Sequence, residues 1–136
     1  MFVDASALIA LLSDEREASR IAEVLAAAET RLTSPVAVLE VALALARPDK
    51  FNLSIEVTAP LIREFLDERD IEVRDLPPAA DTTQLALAAA HRYRSGRHGL
   101  NLGDCLHYAC AKYYRVPILA TDREFSQTDL EIAGSR

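Results

Sequence analysis

The chain has 136 residues, half of them apolar, and a formal net charge of −6. That length and composition predict a single unit over 1–136 around one core burying roughly two-thirds of its surface, and they exclude intrinsic disorder. No apolar run approaches the ~20 residues that span a bilayer, no basic segment precedes an apolar stretch at the start, and the acidic balance argues against broad nonspecific nucleic-acid binding, so a cytoplasmic protein with no membrane attachment is expected.

In chain order, the opening MFV reads as a short strand and SALIALLS as a helical turn or two behind it. The stretch 15–29 has apolar residues at helical spacing and a charged outer face of Glu15, Arg16 and Glu23, which predicts an amphipathic helix. A short strand is expected over 31–33. Ser34 followed by Pro35 is a helix start, N-cap then first helical residue, and Arg47-Pro48 is the stop. A further helix lies within 53–70, with its start expected near Thr58 or Pro60.

IEVRDLP reads as a strand closed by Pro77-Pro78, and 81–94 as a helix capped by Asp81. A loop over 94–103 leads into the helix DCLHYACAKYYR, then the strand VPILATD and an ambiguous tail. Strands alternating with helices predict an α/β fold, a parallel sheet covered by helices on both faces. Functional sites in such sheets lie outside the carboxyl ends of the strands. Cys105 and Cys110, five apart on one helix and without a zinc-ligand pattern, read as reduced core residues.

Four carboxylates stand in apolar surroundings. Asp4 ends the first strand, Glu40 interrupts VAVLEVALALA in mid-helix, Asp104 lies in the first turn of the late helix, and Asp122 ends the ILATD strand. Singly, Asp4 and Asp104 suit helix caps as well as function. Glu40 does not, because a carboxylate amid apolar neighbours in mid-helix needs a cation, a basic partner or the protein's edge. Four acids at one end of a sheet raise each other's pKa unless a counter-charge is present. Oxygen-only ligands favour Mg²⁺ or Mn²⁺, and the chemistry such a site suits is metal-assisted hydrolysis of a phosphodiester.

Taken together, VDASA, SPVAVLEV, LNLGDCLHYACA and ILATDREF, in that order and at matching total length, resemble the PIN domain. More closely, they resemble the VapC-type ribonuclease toxins of bacterial toxin–antitoxin operons. The resemblance implies a PIN-like three-layer α/β/α sandwich with a mainly parallel central sheet. It implies a Mg²⁺- or Mn²⁺-dependent endoribonuclease whose catalytic and metal-binding set is Asp4, Glu40, Asp104 and Asp122. Glu124 is the second choice for the fourth acid. Ser6 matches a small hydroxyl residue that orients the first acid, and Thr121 is expected to act similarly beside Asp122.

The implied partners are an RNA substrate, a cognate VapB-type antitoxin and a second copy in a homodimer, with the apolar faces of 21–28 and 55–66 contributing to those contacts. From the residues themselves, Arg92 and Arg97 in the basic stretch HRYRSGRHGLN are candidates for gripping RNA phosphates. Asn101 is read first as a helix cap and second as a substrate contact. His91 and His107 are read as ordinary helix residues, His107 with a minor prospect of facing the site. The alternative function is a non-catalytic PIN-fold module that binds RNA or a partner. An aspartyl-phosphate phosphatase ranks lower, because DASA lacks the second acid of DxDxT.

Overall fold

The computed structural model describes residues 1–121 and 123–135. Four short strands, β1 (Phe2–Val3), β2 (Leu32–Thr33), β3 (Glu72–Val73) and β4 (Ile118–Leu119), form one parallel sheet in the order β3-β2-β1-β4. Hydrogen bonds flanking the strands extend the ladder, Asp4 N–H donating to the Leu119 carbonyl and Arg74 N–H to that of Thr33. The helices are α1 (Ala5–Leu12), α2 (Ala18–Ala27), α3 (Pro35–Ala46), α4 (Ile55–Glu68), α5 (Ala79–Tyr93) and α6 (Leu102–Tyr114), and a 3₁₀ turn follows at Glu124–Gln127.

The chain steps outward from β1 to β2 to β3, then returns to lay β4 on the other side of β1. Right-handed crossovers therefore set α1–α4 on one face and α5–α6 on the other. The packing agrees: α1 meets α2 and α3, α3 meets α4, and α5 lies along α6. This is the three-layer α/β/α sandwich with a parallel sheet that the alternation of elements predicts. Phe2, Val3, Leu8, Val41, Ile118 and Leu119 are among the buried side chains at its centre, and Cys105 and Cys110 are both buried free thiols. No helix among the described residues is long and apolar enough to cross a membrane.

Most boundaries fall where the sequence sets them. Ser34 caps α3 through its hydroxyl, which accepts from Ala37 N–H at 3.2 Å, Pro35 is the first helical residue, and Arg47 closes the helix. Three expectations are corrected. Helix α2 begins at Ala18, not Glu15: left-handed Asp14 (φ 49°) closes α1, with Glu15 N–H donating to the Ala10 carbonyl, and residues 15–17 are taken up by a turn in which Ala18 N–H donates to the Glu15 carbonyl. Helix α4 begins at Ile55 behind Ser54, so Pro60 lies inside it. The hydrogen bond that proline forgoes is the one to Glu56, an exposed residue in the first turn whose carbonyl water can serve. Asp81 is not a cap: α5 starts two residues earlier, behind Pro78, and Asp81 instead places its charge in the first turn, where the helix dipole favours it.

Candidate active site

Because β1 has β2 on one side and β4 on the other, the crevice between β1 and β4 is where the direction of winding reverses, the usual place for a ligand in an open parallel sheet. Asp4 leaves β1 at that point. It is 3% exposed and caps α1, its Oδ2 accepting from Ser6 N–H at 3.0 Å and from the Ser6 hydroxyl at 2.6 Å. Thr121 N–H donates in turn to the Ser6 oxygen at 3.0 Å, so the end of β4 holds the residue that holds Asp4. The other Asp4 oxygen, Oδ1, is buried with no hydrogen-bond partner among the described residues. An ionised oxygen left so is costly unless something else is bound there.

Glu40 reaches the same place from α3. Its side chain is 36% exposed, and its carboxylate rests against Gly103 at the start of α6. A Cβ at Gly103 would stand 2.7 Å from Glu40 Oε1, so any larger residue there obliges the Glu40 carboxylate to move from this position. One turn further along α6, His107 faces Glu40 Oε1 through Nε2, with Asp4 Oδ1 3.6 Å away. A carboxylate only accepts, so Nε2 carries the proton. The imidazole is fully buried, with its ring beside that of Phe2. Burial alone pulls its pKa down, but the hydrogen bond it donates to Glu40 and the charges of Asp4, Glu40 and Asp104 outweigh that and hold it above the ordinary value.

Asp104 is the third acid. Asn101 caps α6 by accepting from Asp104 N–H at 2.8 Å, and Asp104 Oδ2 accepts from Asn101 N–H at 3.1 Å, a reciprocal capping box. Burial pushes the Asp104 pKa up to about 6, assisted by the charges of Asp4 and Glu124 and opposed by the Asn101 backbone bond and His107. Cap and cleft residue are therefore one and the same, as they are at Asp4.

These groups line one open cleft of about 320 Å³, with Asp4, Ser6, Glu40, Asn101, Asp104, Thr121 and Glu124 in its wall. That is the small end of the range for ligand sites. Glu124 Oε2 is buried without a partner among the described residues. Asp122 lies outside the described residues. Asp129, further along the tail, is engaged elsewhere, accepting from the Tyr108 hydroxyl at 2.7 Å and Lys112 Nζ at 2.9 Å.

The donor set is all oxygen and includes a buried orphan carboxylate oxygen, which fits a hard divalent cation in kind. Among the described residues the acids do not form a closed cage of three or more ligands. Each is tied to a partner of its own, Ser6, His107 or Asn101, and like charges keep their distance without a counter-ion.

Arg92 and Arg97 are exposed and do not line the cleft. The sequence reading gave His107 only a minor prospect of facing the site and missed Arg47 and Lys50. His107 is the basic neighbour that the apolar surroundings of Glu40 demand, and its signal was its place three residues after Asp104 on one helix face. Arg47 and Lys50 stand in the cleft wall, Arg47 two turns along α3 from Glu40. An apolar groove of about 550 Å³ also runs between α3 and α4, lined by Val38, Leu39, Ala59, Ile62, Leu66 and their neighbours. The apolar face of α2, by contrast, is largely spent on the core through Ala18, Ile21 and Leu25.

A family model described as the PIN domain matches residues 1–131. The chain is 36% identical over 132 residues to ribonuclease VapC30 of Mycobacterium tuberculosis, an alignment covering 96% of this chain and 95% of that protein. Among solved structures it resembles M. tuberculosis VapC20, described as a Sarcin-Ricin loop cleaving toxin, with a TM-score of 0.73, 21% identity and coverage of 97% and 98% of the two chains. It also resembles a chain of a toxin–antitoxin complex from Klebsiella pneumoniae, with a TM-score of 0.68, 18% identity and coverage of 99% and 98%.

Proposed function

The chain belongs to the PIN domain family, among its VapC members, and on that premise we propose that it is a Mg²⁺- or Mn²⁺-dependent endoribonuclease, the toxin of a toxin–antitoxin pair. The observation that carries the reading is the convergence of Asp4, Glu40 and Asp104, from three separate segments, on one cleft at the carboxyl ends of β1 and β4, with Asp4 Oδ1 buried and without a hydrogen bond among the described residues. Asp4, Glu40 and Asp104 would hold the cation. The fourth acid is Asp122 by the sequence pattern ILATD or Glu124 by its place in the cleft wall. A bound divalent cation supplies an acidified water and neutralises charge on the phosphodiester under attack.

The chain's own residues do the positioning. Ser6 fixes the Asp4 carboxylate, Asn101 fixes Asp104, and the Gly103–His107 face of α6 fixes Glu40. Preset ligands of this kind are what a catalytic cation site requires. The α3–α4 groove suits an apolar segment of the antitoxin, a partner class favoured by the likeness to a toxin–antitoxin complex. A homodimer is part of the same reading.

The experiment is cleavage of a labelled structured-RNA pool by the wild type in Mg²⁺ and in EDTA, and by Asp4→Asn in Mg²⁺. Cutting that needs the metal and is lost in the variant is the expected result. Equal cutting by both proteins would place the activity elsewhere, and none from either, with no Mn²⁺ heat in calorimetry, would favour the non-catalytic module.

A further inference from the structure

We propose that Arg47 and Lys50 form a phosphate subsite that holds the RNA backbone beside the scissile position. The proposal rests on the ribonuclease reading above and adds where the substrate strand runs. Among the described residues, these two are the only arginine or lysine side chains in the wall of the acid-lined cleft. An acidic protein with carboxylates at its centre repels a polyanion unless a local cation receives it. Sequence alone points to Arg92 and Arg97 for that task, yet neither reaches the cleft.

The placement is set by α3. Glu40, Ala44 and Arg47 line the cleft together, the spacings of four and three that share one helix face. At about 1.5 Å of rise per residue, Arg47 stands about 10 Å along the axis from Glu40. Ala44 between them is small and leaves the track open. A strand whose scissile phosphate sits at the acids thus brings a neighbouring phosphate to Arg47.

Lys50 is fixed by the turn that follows. Its N–H donates to the Arg47 carbonyl at 3.0 Å, Phe51 N–H donates to Leu45 at 3.1 Å, and Asn52 N–H donates to Arg47 at 3.1 Å. From there Lys50 Nζ reaches Glu15 Oε1 at 2.8 Å, crossing from the α3–α4 turn to the α1–α2 turn along the cleft wall. Arg47 is held by Asp49, with contacts of 3.0 and 2.6 Å. The Arg47–Asp49 pair is exposed and weak, so a phosphate oxygen can replace Asp49 at little cost, whereas at the half-buried Lys50 a phosphate has to displace Glu15. Glu15, one of five acids in the cleft wall among the described residues, is then a competitor of the substrate for Lys50.

The test uses the full chain and a fluorescein-labelled single-stranded oligouridylate, read by anisotropy in Ca²⁺ over a KCl series. Arg47→Ala and Lys50→Ala are each expected to weaken binding about fourfold at physiological salt and to flatten the salt slope by about 0.7. Lys50→Arg keeps the charge and should keep the affinity, and Glu15→Gln should tighten binding. Mn²⁺ affinity by calorimetry should be the same in all four, which also reports that the cleft is folded. The subsite is overturned if the rim variants bind as the wild type does, or if Arg92→Ala with Arg97→Ala takes the loss instead. Wild type that cuts RNA in Mg²⁺ while the rim variants bind normally sinks the subsite alone. Wild type that neither cuts nor binds RNA sinks the ribonuclease reading, and the subsite with it.

Discussion

Asp104 and His107 show what the cleft costs the protein. The Asp104 carboxyl has a folded pKa of about 6 against an ordinary 3.8, so between these values the folded state binds more protons than the unfolded one. Stability from this group therefore falls as pH rises from about 4 to about 6. His107, raised above its ordinary value, adds stability that is present below pH 6.5 and is lost as pH rises through its folded pKa, so both groups act in one direction. Asp104 is partly exposed, which reduces the effect to about 1 kcal/mol at pH 7. In EDTA, Asp104→Asn should melt higher than the wild type at pH 7 and no higher near pH 4, which paired thermal melts would show. A separate prediction concerns the hold on Glu40. His107→Ala frees that carboxylate and should lower Mn²⁺ affinity by about 10- to 100-fold, while His107→Gln, which retains a donor, should recover part of it; calorimetry measures both.

Helix α6 is the element on which the cleft depends most. Its first turn supplies Asn101 as cap, Gly103 as the gap for Glu40 and Asp104 as ligand candidate, and its second supplies His107. Gly103→Ala is expected to fold, since alanine favours helix over glycine by up to about 1 kcal/mol. Its new Cβ would meet Glu40 Oε1 at 2.7 Å and push that side chain from its slot. The expected outcome is a melting temperature unchanged or raised, with Mn²⁺ affinity and RNA cleavage both reduced. A fall in stability with Mn²⁺ affinity intact would mean that Glu40 has another resting place. The start of α3 was legible because Ser34 and Pro35 act locally, through one capping bond and one fixed φ. The start of α4 was not, because packing of Thr58, Ile62, Phe65 and Leu66 outweighs the single hydrogen bond that Pro60 forgoes.

At the scale of the whole molecule, the cleft gathers five acids against Arg47 and Lys50 among the described residues, and the fold tolerates them through many small anchors. If a cation belongs there, Mg²⁺ at about 100 times its Kd should stabilise the wild type by about 2.7 kcal/mol by mass action. A melt in EDTA and in Mg²⁺ checks this, and Asp4→Asn should lose most of the gain. The sequence by itself determined the alternation of strands and helices, the parallel sheet, the positions of Asp4 and Asp104 at element ends, and the anomaly of Glu40. All of these follow from local periodicity, capping and the cost of an acid among apolar neighbours. Only the tertiary structure decided that His107 answers Glu40, that Gly103 makes room for it, that Asp129 is engaged with Tyr108 and Lys112, and that Arg47 and Lys50, rather than Arg92 and Arg97, stand at the cleft. Those are contacts across 17 to 67 residues of chain or choices of helix face. They arise from how α3, α6 and the turn after α3 are set around the sheet, which no local pattern of residues encodes.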